Sequence, residues 1–228
     1  MESSRSTVSV RLNSVRERIA AAARRAGRDP DEITLVAVSK RKPPEDIVAA
    51  YEAGQRDFGE NYVQEFERKS ARLPPLPGAR FHLIGKLQSN KAKRAAGLFS
   101  TIHTLDSVKL ARRLDRFASA LEVFLELKLS PEESKAGMDP ASLEAVLGAA
   151  QAAERLEVSG LMAMPPWNPD PEQARPYFRR LRVLAEAHGI GGLSMGMSHD
   201  LEVAIEEGAT HVRVGTAIFG KRPPRAAA

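Results

Sequence analysis

Residues 33–60 have the sequence ITLVAVSKRKPPEDIVAAYEAGQRDFGE, in which two short apolar runs flank a segment with helical spacing. The first run, residues 33–39, is rich in β-branched residues and predicts a buried strand. The segment 44–54 predicts a helix that begins at a proline and ends at a glycine. Residues 57–59 predict a second strand. The order strand, helix, strand is typical of parallel sheets with crossover helices.

The same alternation continues along the chain and predicts eight strands. These strands cover residues 33–39, 57–59, 80–85, 100–105, 122–129, 158–164, 192–197 and 211–214. The predicted helices cover residues 44–54, 62–71, 89–97, 107–120, 140–153, 171–188 and 198–208. Eight such units predict an α/β fold, a single TIM (β/α)8 barrel. An open doubly wound sheet is the alternative, but Ser-Lys-Arg-Lys at residues 39–42 replaces the glycine-rich turn that usually follows its first strand.

An extra amphipathic helix is predicted over residues 7–27, before the first strand. Leu12, Val15 and Ile19 recur at helical spacing and would share one face, and Gly27 ends the pattern. The chain of 228 residues has no segment with the composition of a domain linker. We therefore expect residues 1–228 to form one domain.

Composition limits the classes of function. The chain has no cysteine, which excludes disulfides, thiolate metal sites and cysteine nucleophiles. No apolar run approaches the roughly 18–20 residues of a membrane span, and no secretory segment is present, so we expect a cytoplasmic protein without a membrane partner. The net charge of +5 is modest and aromatic residues make up only 5% of the chain, so a specific nucleic-acid partner is not expected. No histidine spacing suggests a metal site.

In a TIM barrel the functional site lies at the C-terminal ends of the strands. The first predicted strand runs directly into Lys40. Burial and neighbouring cations disfavour the ammonium form, and a neutral amine is what a Schiff-base lysine requires. The alternative is a lysine whose stem packs on the barrel while its amine reaches solvent.

The seventh and eighth predicted strands end in small residues that suit an anion. Gly196 leaves room for a ligand, and Ser198 stands where the N-cap of the next helix is expected. Gly215 and Thr216 follow the eighth strand. The loops after strands seven and eight are the recurrent phosphate-binding place of this fold, so the two clusters are predicted to converge. A helix cap without any ligand is the alternative.

Three further polar residues are candidates for the site. Arg213 shares a face with Gly215 by the period-2 rule and would place a cation inside the barrel, either at a ligand or in an ion pair with Glu126. His82 in the third strand is a candidate base or ligand contact, or a hydrogen-bonded core histidine. Asn61, at the end of the second strand, would donate to a ligand oxygen or cap the following helix.

Together these positions combine an amine, a phosphate cradle and an arginine between them. Pyridoxal 5′-phosphate (PLP) has an aldehyde for the lysine, a phosphate for the cradle and a ring nitrogen for a charged partner. The residues therefore predict PLP as cofactor.

Seven stretches of the sequence carry a specific resemblance to a known family. It rests on VAVSKRKPPEDI (36–47), FGENYVQE (58–65), FHLIGKLQSNK (81–91), HTLDS (103–107), SKAGM (134–138), GLMAM (160–164) and LSMGMSHDLEVAIEEGATHVRVGTAIFG (193–220). In these stretches the chain resembles the YggS/PROSC family of pyridoxal phosphate homeostasis proteins. The resemblance implies a TIM barrel similar to the N-terminal domain of fold-type III PLP enzymes such as alanine racemase, and a monomer.

The resemblance also assigns roles to single residues. Lys40 matches the Schiff-base lysine and Arg213 matches the arginine at the pyridine nitrogen. Ser198, Gly215 and Thr216 match the family's phosphate contacts. Gly196 and Met197 belong to the same phosphate loop, and Asn61 matches a residue near the cofactor. We add His82 and Ser194 to these candidate cofactor-binding residues.

Two positions depart from the family pattern. Lys86 stands where proline is expected, and His199 stands where a small or acidic residue is commoner, so the entry to the cofactor and the local charge differ from the family norm. The polar loop 130–137 is a candidate lid.

The expected function is that of a carrier rather than of an efficient enzyme. An arginine at the ring nitrogen keeps that nitrogen unprotonated and weakens the ring as an electron sink. A length of 228 residues accommodates one barrel, with no second domain to supply a further acid or base. We therefore predict a PLP homeostasis protein that holds PLP reversibly and passes it to apo-enzymes. The alternatives are a PLP-dependent racemase or lyase and a basic module that binds RNA or another polyanion.

Overall fold

Eight parallel strands close into a barrel in chain order, and the first strand pairs with both the second and the eighth. The computed structural model describes residues 2–130 and 136–220. The strands are β1 Thr34–Val38, β2 Asp57–Glu60, β3 Arg80–Leu83, β4 Thr101–Leu105, β5 Leu121–Leu127, β6 Leu156–Ala163, β7 Gly192–Ser194 and β8 His211–Val214. The predicted α/β fold, a TIM barrel, is confirmed, and the open doubly wound sheet is wrong because β1 pairs with β8.

Helices surround the barrel and connect its strands. They are α1 Glu2–Arg25, α2 Pro44–Glu52, α3 Val63–Ser70, α4 Ala92–Leu98, α5 Val108–Asp115, α6 Leu143–Gln151, α7 Arg175–Ala187, α8 Leu201–Glu206 and α9 Thr216–Phe219. The predicted N-terminal helix is confirmed as α1, whose buried face carries Leu12, Val15 and Ile19. Gly27, with a φ of +66°, follows its end.

Several element boundaries differ from the predicted ones. The helices predicted from residues 89 and 171 begin with the 3₁₀ turns Ser89–Lys91 and Pro171–Ala174. The strand predicted over 192–197 ends at Ser194, because the backbone turns at Gly196, whose φ is +89°. Local propensity does not fix where a strand leaves the sheet, because its last hydrogen bonds depend on neighbouring strands.

The core has an apolar layer outside the strands and a partly polar layer inside the barrel. Apolar side chains such as Leu35, Phe58 and Ile102 are buried between the strands and the surrounding helices. The inside of the barrel also holds buried polar side chains, among them His82 and Arg213. Across the described part of the chain, we find no helix that combines the length and the apolar character needed to span a membrane.

Candidate functional site

A cavity of about 580 Å³ lies where the chain leaves several of the strands. This volume is within the range of small-molecule sites. Seven of the ten candidate residues line it, and these are Lys40, Asn61, Met197, Ser198, Arg213, Gly215 and Thr216. The other three, His82, Ser194 and Gly196, are not among the residues that line it. The loops after β7 and β8 thus meet at one cavity, as predicted, and Lys40, after β1, lines the same cavity.

Lys40 is half-buried in a tight turn directly after β1. The N–H group of Lys42 donates to the carbonyl of Ser39 at 3.0 Å and closes this turn. Arg41 has a φ of +59° and is the only non-glycine residue with a positive φ in the described part of the chain. A left-handed arginine costs free energy and persists only where the surroundings hold it. The turn that presents the lysine is thus fixed by its environment.

The buried ion pair of Lys69 and Glu60 supports this turn. The amine of Lys69, on α3, donates to the carbonyl of Ser39 at 2.9 Å and to Oε1 of Glu60 at 2.6 Å. The hydroxyl of Ser39 donates to the same carboxylate oxygen at 2.8 Å. We call Ser39, Glu60 and Lys69 the buried clamp. Burial raises the pKa of Glu60, although Lys69 and Ser39 favour its ionised form.

Glu65 extends the buried clamp to the other side of the turn. Its Oε1 accepts the backbone N–H of Arg41 at 2.6 Å and the amine of Lys69 at 3.2 Å. The backbone on both sides of Lys40 is therefore tied to side chains of α3.

Backbone donors gather on the opposite side of the cavity. Within the described part of the chain, the N–H groups of Ser198, His199 and Thr216 donate no hydrogen bond. The hydroxyl of Ser198 accepts the N–H of Ala217 at 3.4 Å and joins the two loops. Unpaired N–H groups in a cavity suit an anion such as a phosphate.

Ser198 does not have the predicted role of helix N-cap. Helix α8 begins at Leu201, and its N-cap position is Asp200. Asp200 instead shapes the loop, because its Oδ1 accepts the N–H of Met197 at 2.6 Å. Burial raises the pKa of this carboxyl. A turn does precede α8, as predicted, but Asp200 and not Ser198 occupies the N-cap position.

Gly196 is needed for packing and does not leave room for a ligand. A Cβ atom there would lie 2.5 Å from the Cβ of Ala204 on α8. Its φ of +89° also belongs to the region that favours glycine. The side of Gly196 where a side chain would project is filled by α8, and a contact of Gly196 with the cofactor stays a prediction.

Arg213 points into the barrel and is only 3% exposed. Its guanidinium donates to Oγ of Ser194 at 2.5 Å and to the carbonyl of Ala163 at 3.1 Å. Burial lowers its pKa to about 10, while Glu126 and Asp200 act in the opposite direction. Arg213 therefore remains charged at neutral pH. Among the described residues it makes no ion pair within 4 Å, so the alternative of a contact with Glu126 is wrong.

Ser194 and His82 belong to a buried chain of hydrogen bonds that ends on Arg213. Oγ of Ser194 lies 2.7 Å from Nδ1 of His103, whose Nε2 lies 2.9 Å from Nδ1 of His82. Nε2 of His82 in turn lies 2.9 Å from Oδ1 of Asp57. His82 and Ser194 are not among the residues that line the cavity, so their contact with the cofactor stays a prediction. His82 is the hydrogen-bonded core histidine of the alternative, and Ser194 holds Arg213.

The groups at the two ends of this chain have fixed hydrogen-bonding roles. Arg213 can only donate, and the pKa of Asp57 is lowered by its hydrogen bonds to His82 and Arg80 although burial acts to raise it, so its carboxylate accepts. Burial lowers the pKa of His103 well below its usual value and keeps it neutral. A neutral His103 accepts a hydrogen bond at one ring nitrogen and donates one at the other, and the hydroxyl of Ser194 can do both. A continuous chain therefore holds Arg213 in place.

We predict that acid destabilises the barrel through His211, at the start of β8. Its ring packs edge-on against Phe124, and burial lowers its pKa to about 4. The unfolded chain, with a histidine pKa of about 6.5, binds more protons than the folded chain between these values. The free energy of unfolding should therefore fall by up to about 3 kcal/mol as the pH drops from about 6.5 to about 4. Urea unfolding as a function of pH measures it. An equally steep loss in His211→Gln would contradict this assignment.

The remaining cavity residues were harder to predict. Met164 and Trp167 follow β6 and are 41% and 74% exposed, and the ring of Trp167 stacks on His199. Their position after a strand end could have marked them. Lys86 and His199, the two departures from the family pattern, both line the cavity. Of the candidate lid, residues 131–135 lie outside the described residues, and Ala136 lines the cavity.

Glu126 was predicted only as an ion-pair partner, and it too lines the cavity. Two oxygen atoms here are buried without a hydrogen-bond partner, Oε2 of Glu126 and Oδ1 of Asn61. Among the described residues, no group of three or more histidine, aspartate or glutamate side chains could hold a metal ion. The cavity thus offers the cationic side chains of Lys40, Lys86 and Arg213, unpaired N–H donors and two unpaired acceptors.

A family model described as alanine racemase, N-terminal domain, matches residues 10–223. The chain belongs to this family. The predicted resemblance to the pyridoxal phosphate homeostasis proteins is also confirmed. The protein of that name from Pseudomonas aeruginosa is 45% identical over 225 residues, with 95% of this chain and 96% of the relative covered. The one from Escherichia coli K12 is 44% identical, with 92% and 95% covered.

Solved structures of similar proteins agree with this barrel. PipY of Synechococcus elongatus PCC7942, solved with PLP bound, is 40% identical, with a TM-score of 0.82 and with 93% of this chain and 100% of that chain covered. Alanine racemase from Corynebacterium glutamicum is 18% identical, with a TM-score of 0.66 and 95% and 63% covered, which shows the fold alone.

Proposed function

We propose that this chain binds PLP as a Schiff base on Lys40 and serves PLP homeostasis in the cytoplasm as a single-domain monomer. The observation that carries the proposal is the meeting of Lys40, Arg213 and unpaired backbone N–H groups in one cavity. The names of the curated relatives and the PLP bound to PipY support it.

The residues present fit this cofactor. When bound, PLP supplies an aldehyde that reacts reversibly with a primary amine. Lys40 provides the amine, held in its turn by the buried clamp. Ser198 and Thr216 offer N–H groups to the phosphate, and Arg213 offers a fixed cation to the ring nitrogen. The unpaired Oδ1 of Asn61 gains a partner if the ligand brings a donor.

A carrier fits these groups better than an efficient enzyme. Arg213 is a permanent donor, so a ring nitrogen that faces it stays unprotonated and withdraws electrons less strongly. None of Tyr51, Tyr62 and Tyr177 is among the described residues that line the cavity, so no tyrosine stands ready as a second acid or base. We propose that the bound PLP is passed to apo-enzymes that require it.

A transfer assay tests this role. Purified protein is loaded with PLP, freed of excess cofactor and mixed with a PLP-requiring apo-enzyme. The expected result is recovery of the apo-enzyme's activity in proportion to the PLP supplied, with loss of the imine absorbance of the carrier. Retention of that absorbance with no recovered activity would contradict a carrier role.

A PLP-dependent racemase or lyase is the second candidate, and the position of Glu126 in the cavity favours it. A carboxyl with an unpaired oxygen is able to exchange a proton. Deuterium exchange at Cα of a panel of small amino acids in D2O distinguishes the two functions. We expect no exchange above the rate of free PLP, whereas rapid exchange would establish the enzyme.

A further inference from the structure

Glu126 occupies a position that the PLP-binding proposal does not use. It lies on β5, is only 2% exposed and lines the cavity together with Lys40, Ser198 and Arg213. Its neighbour on β6 is Met162, which is apolar and offers no hydrogen bond. Glu126 is thus a carboxyl at the ligand cavity and not part of a surface ion pair.

The charged groups around Glu126 do not neutralise it by contact. Arg213 on β8 and Lys86 after β3 favour its carboxylate, and Asp106 after β4 disfavours it. Arg213, however, directs its hydrogen bonds to Ser194 and Ala163. Oε2 of Glu126 remains buried without a partner. Lys40 and His199 are the other titratable groups on the cavity wall.

A buried carboxylate with an unpaired oxygen is unfavourable, and a protonated carboxyl is less so. Burial, followed by the charge of Asp106, raises the pKa of Glu126 to about 7, against the effects of Arg213 and Lys86. Near neutral pH both forms are therefore populated. A small change in the charge of the cavity is enough to shift the balance between them.

We propose that Glu126 is a further ligand-contacting residue, and that it takes up a proton when the anionic cofactor enters the cavity. The proposal rests on PLP binding as proposed above. A carboxylate beside the anion would repel it, whereas a carboxyl can donate a hydrogen bond to one of its oxygens. The proton comes from the solvent and returns to it when the cofactor leaves. Loading is consequently favoured below neutral pH and release above it.

Calorimetry of PLP binding tests the proton directly. PLP is titrated into the full chain at about pH 7.5, in buffers with different ionisation enthalpies, so that the slope gives the protons taken up. The wild type is compared with Glu126→Gln, which keeps the shape and has no ionisable proton. Other ionisations of PLP and Lys40 contribute to both proteins and cancel in the difference. We expect Glu126→Gln to take up a substantial fraction of one proton fewer.

The affinity should change in the same sense. Between about pH 6 and 8.5 the dissociation constant of the wild type should rise roughly tenfold more than that of Glu126→Gln, because only the wild type develops a repelling charge. Glu122→Gln is the matched control. Glu122 lies on the same face of β5, four residues earlier, and its carboxylate accepts the hydroxyl of Thr101 at 3.1 Å outside the cavity. This variant should behave as the wild type does.

The outcomes separate the two proposals. Equal proton uptake by the wild type and Glu126→Gln would overturn the role of Glu126 and leave PLP binding intact. A wild type that does not bind PLP would overturn both. If Glu126→Gln fails to fold, as judged by circular dichroism, the carboxyl of Glu126 is titrated by ¹³C NMR in the wild type. Its midpoint should rise when PLP is added, and an unchanged midpoint would overturn the proposal.

Discussion

Lys40→Ala is expected to abolish the visible absorbance that PLP acquires on binding, because Lys40 supplies the amine of the proposed Schiff base. The turn that presents Lys40 is fixed on both sides, by the carbonyl of Ser39 and by the N–H of Arg41. An amine in a fixed turn reacts as an intramolecular group, which is a large advantage over an amine elsewhere on the chain. Absorbance spectra recorded during titration with PLP measure the loss.

Two further lysine variants separate the chemistry from the charge. Lys40→Arg keeps a cation but has no neutral amine, and should lose the absorbance as Lys40→Ala does. Lys42→Ala removes the amine that donates to the carbonyl of Phe219 at 2.6 Å. This variant should retain the absorbance of bound PLP. An undiminished band in Lys40→Ala would contradict the assignment of the reactive lysine.

Lys69→Met is expected to lower the free energy of unfolding by about 3–5 kcal/mol, the usual cost of leaving one partner of a buried ion pair uncompensated. The carboxylate of Glu60 has no exposed surface, and Lys69 is its cationic partner at 2.6 Å. The carbonyl of Ser39 loses a donor at the same time. The turn that carries Lys40 should loosen, so imine formation should weaken as well. Urea unfolding and PLP titration measure the two effects.

An exposed ion pair provides the control for this prediction. Arg72 and Glu45 approach to 3.7 Å with side chains 69% and 66% exposed, and Arg72→Ala should cost less than about 0.5 kcal/mol. The double variant Lys69→Met with Glu60→Gln removes both buried charges and should recover part of the lost stability. A cost for Lys69→Met no greater than that for Arg72→Ala would show that the buried clamp is not a structural support.

Much of the fold was predictable because the pattern repeats. The alternation of strands and helices that begins with residues 33–60 indicated eight units, and eight units match a barrel in which β1 meets β8. The ends of the elements were not predictable to the same degree. Helix α8 begins at Leu201 rather than at Ser198, because Asp200 accepts the N–H of Met197 and shapes the turn.

The sequence predicted that certain side chains face the inside of the barrel, but not how far along the barrel axis they lie. The period-2 rule correctly turned Arg213 into the barrel, and Lys40 was correctly expected at the end of a strand. The height of His82 and Glu126 along the barrel could not be predicted in the same way. That height depends on the register between strands, which a single strand does not contain. His82 consequently lies beneath the site, and Glu126 lies on the cavity wall.

Reduction of the PLP complex with borohydride, followed by peptide mapping, tests the central proposal most directly. Borohydride converts a Schiff base into a stable secondary amine and marks the lysine that formed it. We predict one modified position, Lys40, with the label abolished in Lys40→Ala. A label on another lysine, or no label on a protein that retains PLP, would contradict the proposal that Lys40 holds the cofactor.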